Sequence, residues 1–389
     1  MSDHTSPLKL TRLEPYESRL RLLPFVGHAW LPVCRSADVP AGRARAERFA
    51  GFRLVLFRDP HGAVRAIEDR CPHRGVPLSL GACVRGRLVC AYHGLEVGGD
   101  GRFGNLCMRT FAVREHLGLV WVFAGDDPGA APLPDLYPFG TTGFVDTVLS
   151  LDMRTHYSLV LDNGVDLTHD YLHRNNLFFF KVLGLDGVKE EVAHIEIAYR
   201  AELRDEFNRA REGAIRIRFA GHLVRLDFDG LPIIHSVLTP RAANGRAVTQ
   251  WWFVSFRARR ALGLVYRVLL PFIRRIMLAA FRQDRLMLEH EAEAVFERGF
   301  RQTERNPLVR AVEASLRARL VAQCLDRLPS MPVQTLTAQE VSGLVGRGEL
   351  AVFDPEALSP LTQEELAHRL GSSATVRVHR DWACALLAR

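Results

Sequence analysis

The sequence predicts an α+β protein: a small all-β unit over residues 27–128, then a larger mixed region over 129–389. Three observations point there. Between Gly27 and Asp127 the short apolar runs "FRLVLFRD", "AVRAIED" and "GLVWVFAG" alternate with Gly, Asp and Pro turn signals, as closely spaced short strands do. The Pro/Gly-rich run "GDDPGAAPLPDLYP", Gly125 to Pro138, reads as a linker. Beyond it, the strand-like stretches "VAHIEIAYRAEL", "AIRIRFAGHLVRLDF" and "TQWWFVSFRA" have helical text on either side.

The first helical segment is "MRTHYSLVLDNGVDLTHDYLHRNN"; a second stretch of helical periodicity runs from Arg282 to Phe300. Between strands and second helix lies "ALGLVYRVLLPFIRRIMLAAF", Ala261 to Phe281. Arg267, Pro271, Arg274 and Arg275 interrupt it, so it falls short of a membrane span. It is expected to form one or two buried helices broken at Pro271. The competing expectation is a basic amphipathic segment in peripheral contact with lipid or with a greasy substrate.

Composition narrows the class. The 389 residues are 48% hydrophobic and 24% charged, which suits globular domains with real cores. The opening "MSDHTSPLKLTRLEPYESRL" lacks the apolar core of a secretory signal, and seven cysteines form an odd set. A cytoplasmic protein without a disulfide framework is expected. The net charge is +7, but the arginines are scattered with no aromatic-interleaved stripe, so nucleic acid is not an expected partner. A basic docking face for an acidic protein is the better use of that excess.

Chemistry enters at "CPHRGVPLSLGACVRGRLVCAYHGL", where Cys71 and His73 form one pair and Cys90 and His93 another. Two thiolates and two imidazoles suit a tetrahedral zinc. They equally suit an iron–sulfur cluster with two cysteines on one iron and two histidines on the other. Ligand identity alone leaves the two open. The wording "CPHRG" followed by "CAYHG", with the lead-ins "HAWLPVCRSADVPAG" and "LVLFRDPHGAVRAIEDRCPHRGVPLSLG", resembles the Rieske domain of ring-hydroxylating, non-haem iron oxygenases. The resemblance covers roughly residues 27 to 128, and implies a Rieske [2Fe-2S] cluster on Cys71, His73, Cys90 and His93. It departs from the family at Ala91 (usually Pro), at Leu95 (usually Trp) and in a shorter stretch after Gly101.

A second centre is expected in "LDNGVDLTHDYLHRNN". On a helix, His169 and His173 share a face with Asp166. Two histidines with one carboxylate form the facial triad of non-haem iron enzymes. The order D-x-x-H-x-x-x-H resembles the family's mononuclear site, which makes His169 and His173 iron ligands. The resemblance gives Asp166 the bridging role, hydrogen-bonding an iron histidine and receiving the electron from a neighbouring subunit; Asp162 is its alternative. In "FRQDRLMLEHEAEAVFERGF", at about 100° per residue, Asp284 lines up with Leu288 and Val295, whereas Glu289 points away. Glu291 shares the inward stripe. The Gln-Asp opening resembles the family's third-ligand segment, which favours Asp284 as the carboxylate ligand over Glu291.

The resemblance implies a catalytic domain with a central antiparallel sheet and flanking helices. It also implies a terminal oxygenase that takes electrons from NAD(P)H through a ferredoxin or flavin reductase and uses O2 at Fe(II). The trimer is expected to be a closed head-to-tail ring. Hydroxylation or demethylation of a hydrophobic, aromatic or polycyclic small molecule is expected first, ring dihydroxylation next. A non-catalytic Rieske electron carrier and a zinc-stapled interaction protein are the readings from other classes. Leu161, Asn163, Phe178, Phe179, Leu226, Phe228 and Trp251 come from segments expected to surround the iron.

Overall fold

The computed structural model describes residues 14–15, 18, 21, 28–125, 127–175, 180–191, 194–204, 209–220, 223–229, 232–258, 260–304, 309–310, 313–314, 317–318, 322, 333–347, 350–354, 359–370, 375–379 and 384–386. Phe178 and Phe179 lie outside the described residues. The chain divides into two compact units, one formed by 27–135 with 239–243, the other by the remainder.

The first unit is all β. A four-stranded sheet takes Thr110–Phe111, Val64–Glu68, Phe52–Arg58 and Arg45–Phe49 in that order. One three-stranded sheet holds Val113–His116, Leu119–Phe123 and Trp30–Arg35; another holds Ala82–Val84, Arg87–Val89 and Glu96–Val97. Their inner residues form a core of Val55, Phe57, Ile67, Leu78, Leu88 and Val97, into which Cys71 and Cys90 are also packed. Such burial removes several apolar side chains from water at about 1.5–3 kcal/mol each.

The larger unit is organised by a seven-stranded sheet. Its strands are β1 (Phe144–Met153), β2 (Lys181–Glu190), β3 (Ile195–Arg204), β4 (Ala210–Ala220), β5 (Leu223–Phe228), β6 (Ile233–Pro240) and β7 (Val248–Arg257), in the order β1-β7-β6-β5-β4-β3-β2. The pairings β1–β7, β2–β3, β3–β4, β4–β5 and β5–β6 are antiparallel. Alternation decides the faces. In β3, Ile195, Ile197, Tyr199, Ala201 and Leu203 are fully buried, while Glu196, Arg200 and Glu202 interleave with them. Tyr199 lies opposite Ile215, which lies opposite Phe228, so the three share a face.

Two helices cover that face, α1 (Tyr157–Val165) and α2 (Arg260–Phe296). The Tyr199 hydroxyl donates to the Val165 carbonyl at 2.6 Å, tying α1 to the sheet. Removing it in Tyr199→Phe leaves a buried carbonyl short of a partner, and is expected to cost about 1–2 kcal/mol in a urea melt. α2 lies on the sheet through Phe281, stacked on Trp252 with ring centroids 4.1 Å apart, and through Tyr266 against Phe256.

Two expectations from sequence are corrected here. α1 does not run on to the second histidine: it stops at Val165, and Leu167–His173 form a separate 3-10 helix. The reason is Asp166, whose carboxylate accepts from the Thr168 amide at 3.1 Å and the Thr168 hydroxyl at 2.5 Å. Such a local cap offers the backbone an alternative to continuing the helix. The second correction is that Pro271 does not break the helix; α2 runs 37 residues through it. The missing hydrogen bond costs about 3 kcal/mol, less than the packing of Tyr266, Ile273, Met277, Phe281 and Leu288 supplies.

Within the larger unit the C-terminal segment adds a second sheet with its own apolar cluster. Val333–Thr337, Thr375–His379, Cys384–Leu386, Ala351–Asp354 and Ser359–Pro360 form a five-stranded sheet. Val341, Leu350, Val352, Leu361 and Leu366 pack beside it.

Candidate metal centres

The first centre is built from two loops with the same backbone plan. Cys71 N–H donates to Val76 C=O at 2.7 Å, and Gly75 N–H donates to Cys71 C=O at 2.9 Å. In the other loop Cys90 N–H donates to Leu95 C=O and Gly94 N–H to Cys90 C=O, both at 2.9 Å. Gly75 and Gly94 sit at φ 72° and 70°, where a Cβ would be strained, so each loop needs its glycine to turn. The second loop closes the hairpin of Arg87–Val89 with Glu96–Val97, which fixes its base.

The plan buries the sulfurs and exposes the rings. Cys71 and Cys90 are 2% and 1% exposed, whereas His73 and His93 are exposed, their rings 4.7 Å apart. Neither cysteine is in a disulfide. Amides of His73 and Arg74 face the Cys71 sulfur; those of Tyr92 and His93 face the Cys90 sulfur. Burial favours the protonated form of both thiols. For Cys90 those amides and the Cys71 thiol outweigh it and hold the group below the ordinary thiol range. Two buried sulfurs with N–H donors beneath two exposed imidazoles fit a cluster with one solvent-facing iron. All four residues singled out from sequence are therefore brought together.

At the second centre, His169 Nε2 and His173 Nε2 converge on one carboxylate: Asp284 Oδ1 lies 3.0 Å from His173 Nε2 and 3.7 Å from His169 Nε2. The ligand atoms of these three residues lie within 4.8 Å of one another. Each histidine is held by its other nitrogen. His169 Nδ1 meets the Asp166 main-chain carbonyl, and His173 Nδ1 meets Gln283 Oε1 at 3.2 Å. Bonds at Nδ1 to oxygen acceptors place the proton there and leave Nε2 as the lone-pair donor. Asp284 Oδ1 is buried with no donor aligned on it among the described residues, the state of a ligand atom that a cation would satisfy. Burial disfavours the charged form of His173, but the neighbouring carboxylate of Asp284 outweighs it and raises the group above the ordinary histidine value. A metal must displace that proton.

The other candidates are placed elsewhere. Asp166 meets His169 Nδ1 through its main-chain carbonyl, while its carboxylate caps the 3-10 helix. Glu291 accepts from Gln302 and lines a cleft with Arg21 and Asp162. Glu289 accepts from the Arg154 amide at 3.0 Å. Leu161 is buried, and Leu226 lies opposite Ile217 and Ile234 in the sheet. Trp251 projects from the sheet face opposite its neighbour Trp252. Gln283 was missed; being next to Asp284 in sequence is its only signal, since nothing in a glutamine marks it as a histidine's partner.

The paired loops and the two-histidine, one-carboxylate cluster define a protein with two sites of different donor chemistry, on an all-β unit and an α+β unit. Residues 29–110 match the family described as "Rieske [2Fe-2S] domain". The chain is 31% identical over 202 residues to a 4beta-methylsterol monooxygenase of Methylococcus capsulatus, covering 48% of this chain and 54% of that protein. It is 36% identical over 168 residues to a vanillate O-demethylase oxygenase subunit of a Pseudomonas species, covering 39% and 46%. The matched region thus spans about half the length of these curated relatives. The crystal structure of dicamba monooxygenase bound to dicamba shares the fold, with TM-score 0.63 and 22% identity over 78% of this chain and 99% of that one. Residues 29–110 are thus a Rieske [2Fe-2S] domain, and the chain as a whole resembles the Rieske non-haem iron oxygenases.

Proposed function

We propose that the chain is the terminal oxygenase component of a Rieske system that hydroxylates or demethylates a hydrophobic, aromatic or polycyclic small molecule. Its electrons come from NAD(P)H through a ferredoxin or flavin reductase. The observation that carries this is the convergence of His169, His173 and Asp284 on one point. The relatives' names, a sterol monooxygenase and an O-demethylase subunit, favour one-oxygen chemistry.

In this reading Cys71, Cys90, His73 and His93 hold the cluster, and His169, His173 and Asp284 hold Fe(II). Iron so held would supply O2 activation. The chain's own residues orient and shield. Asp166 and Gln283 fix the histidine rings by their Nδ1 atoms, and Asp284 supplies the charge that balances the cation. Tyr199, Ile215 and Phe228 give the helix-covered sheet face its apolar character, which suits a hydrophobic substrate. The homotrimer belongs to the same proposal, with Asp166 placed where a neighbouring subunit's cluster meets His169. In it, Asp166→Asn slows turnover while both centres stay loaded.

The test is reconstitution with iron and sulfide, then turnover with an NADH-driven reductase and a small-molecule panel read by product mass. One iron beyond the cluster and a gain of one oxygen, or loss of a methylene unit, support the reading. Cluster iron alone indicates the electron carrier, and gain of two oxygens indicates ring dihydroxylation. Gln283→Leu is expected to weaken iron retention about 10–100-fold in a chelator titration, while Gln283→Glu, which keeps an acceptor oxygen, retains it.

A further inference from the structure

α2 presents to solvent a face that no soluble helix needs. Leu264 and Val268 are 69% and 70% exposed, Phe272 is 59%, and Val265 and Leu269 are exposed beside them. Positions 264, 268 and 272, with 265 and 269, form one stripe along the helix. Further down the same helix Leu286 and Met287 are exposed as well. A contiguous apolar stripe of this kind marks an interaction surface.

The charges say what it meets. From Gly230 to Gln283 the sequence holds nine arginines and no Asp or Glu. On α2, Arg267, Arg275 and Arg282 are exposed, and with Arg274 they have no carboxylate partner among the described residues. A second copy packed stripe to stripe sets these arginine rows against each other, which is repulsive. An anionic lipid surface satisfies both features: side chains enter the acyl boundary while guanidinium groups meet headgroup phosphates. Among the described residues no helix is long and apolar enough to cross a membrane, which suits a helix lying along the surface.

We propose that the exposed face of α2 from Leu264 to Phe272 docks the protein on an anionic membrane surface. The inference is independent of the oxygenase reading: it concerns only the solvent face of α2, whereas Asp284 belongs to the helix's inward side.

The experiment is co-sedimentation of the full-length, iron-loaded chain with vesicles of phosphatidylcholine alone and of phosphatidylcholine with phosphatidylglycerol. Binding to the anionic vesicles, weakened by added salt, is expected. The triple variant Leu264→Ser, Val268→Ser, Phe272→Ser is expected to lower partitioning at least about tenfold. Arg267→Gln with Arg275→Gln is expected to lower it about tenfold and remove most of the salt dependence. All five positions are exposed, so iron content is expected to stay unchanged. Wild-type protein left in the supernatant with anionic vesicles, or binding indifferent to the triple variant, overturns the proposal. A wild-type oligomer that the triple variant dissociates, without vesicle binding, overturns it in favour of a second copy.

Discussion

An Asp284→Ala protein is expected to keep the cluster's colour, lose the third iron and form essentially no product. Asp284 is the carboxylate within reach of both Nε2 atoms, and Oδ1 is buried with nothing else among the described residues aligned on it. Two neutral imidazoles alone leave a divalent cation without charge balance in a half-buried site. Turnover should fall by more than about a hundredfold, beyond what loss of an outer partner costs. Iron analysis beside the visible spectrum checks it: two irons with an unchanged spectrum is the expected result, and three irons removes Asp284 from the ligand set. Glu291→Gln is the control, because Glu291 is engaged with Gln302.

The second large effect is a contrast within one centre. Cys71→Ser and His73→Ala should each abolish the cluster, yet differ in what they do to the iron-free protein. Cys71 is packed among Val55, Phe57, Ile67 and Leu88, so its hydroxyl replacement enters an apolar core at a cost of about 1–3 kcal/mol. His73 is exposed, and its loss should leave apo stability within about 0.5 kcal/mol. In the loaded protein both variants also lose the stabilisation that cluster binding gives the folded state. Denaturant melts of apo and loaded forms separate the two contributions. Equal apo stabilities would mean that the Cys71 sulfur is not a core group.

The first centre was legible in sequence because its chemistry is local. Each loop carries its cysteine, its histidine and the glycine of its turn within six residues, and alternation gives the supporting strands. The second centre was legible in its residues but not in its backbone. Spacing put His169 and His173 on a continuous α-helix, but a competing cap at Asp166 ends that helix at Val165 and leaves both histidines on a separate 3-10 helix, and capping by an aspartate two residues before a threonine is a signal sequence reading can weigh. Pro271 misled in the opposite direction, since sequence shows the broken hydrogen bond but not the sheet packing that outweighs it. The C-terminal sheet left two unread signals, the Thr337–Glu340 and Thr362–Glu365 capping boxes, each announcing a helix start.

Pro271 also gives α2 a seam. It has no N–H to offer the carbonyl one turn earlier, that of Arg267, so the rod is weakest between its outward-greasy beginning and the turn holding Gln283 and Asp284. A load applied to the first part can be taken up as bending there instead of being levered along the axis. One length of backbone therefore serves two masters, a yielding front end and a rear end that must not shift by an ångström.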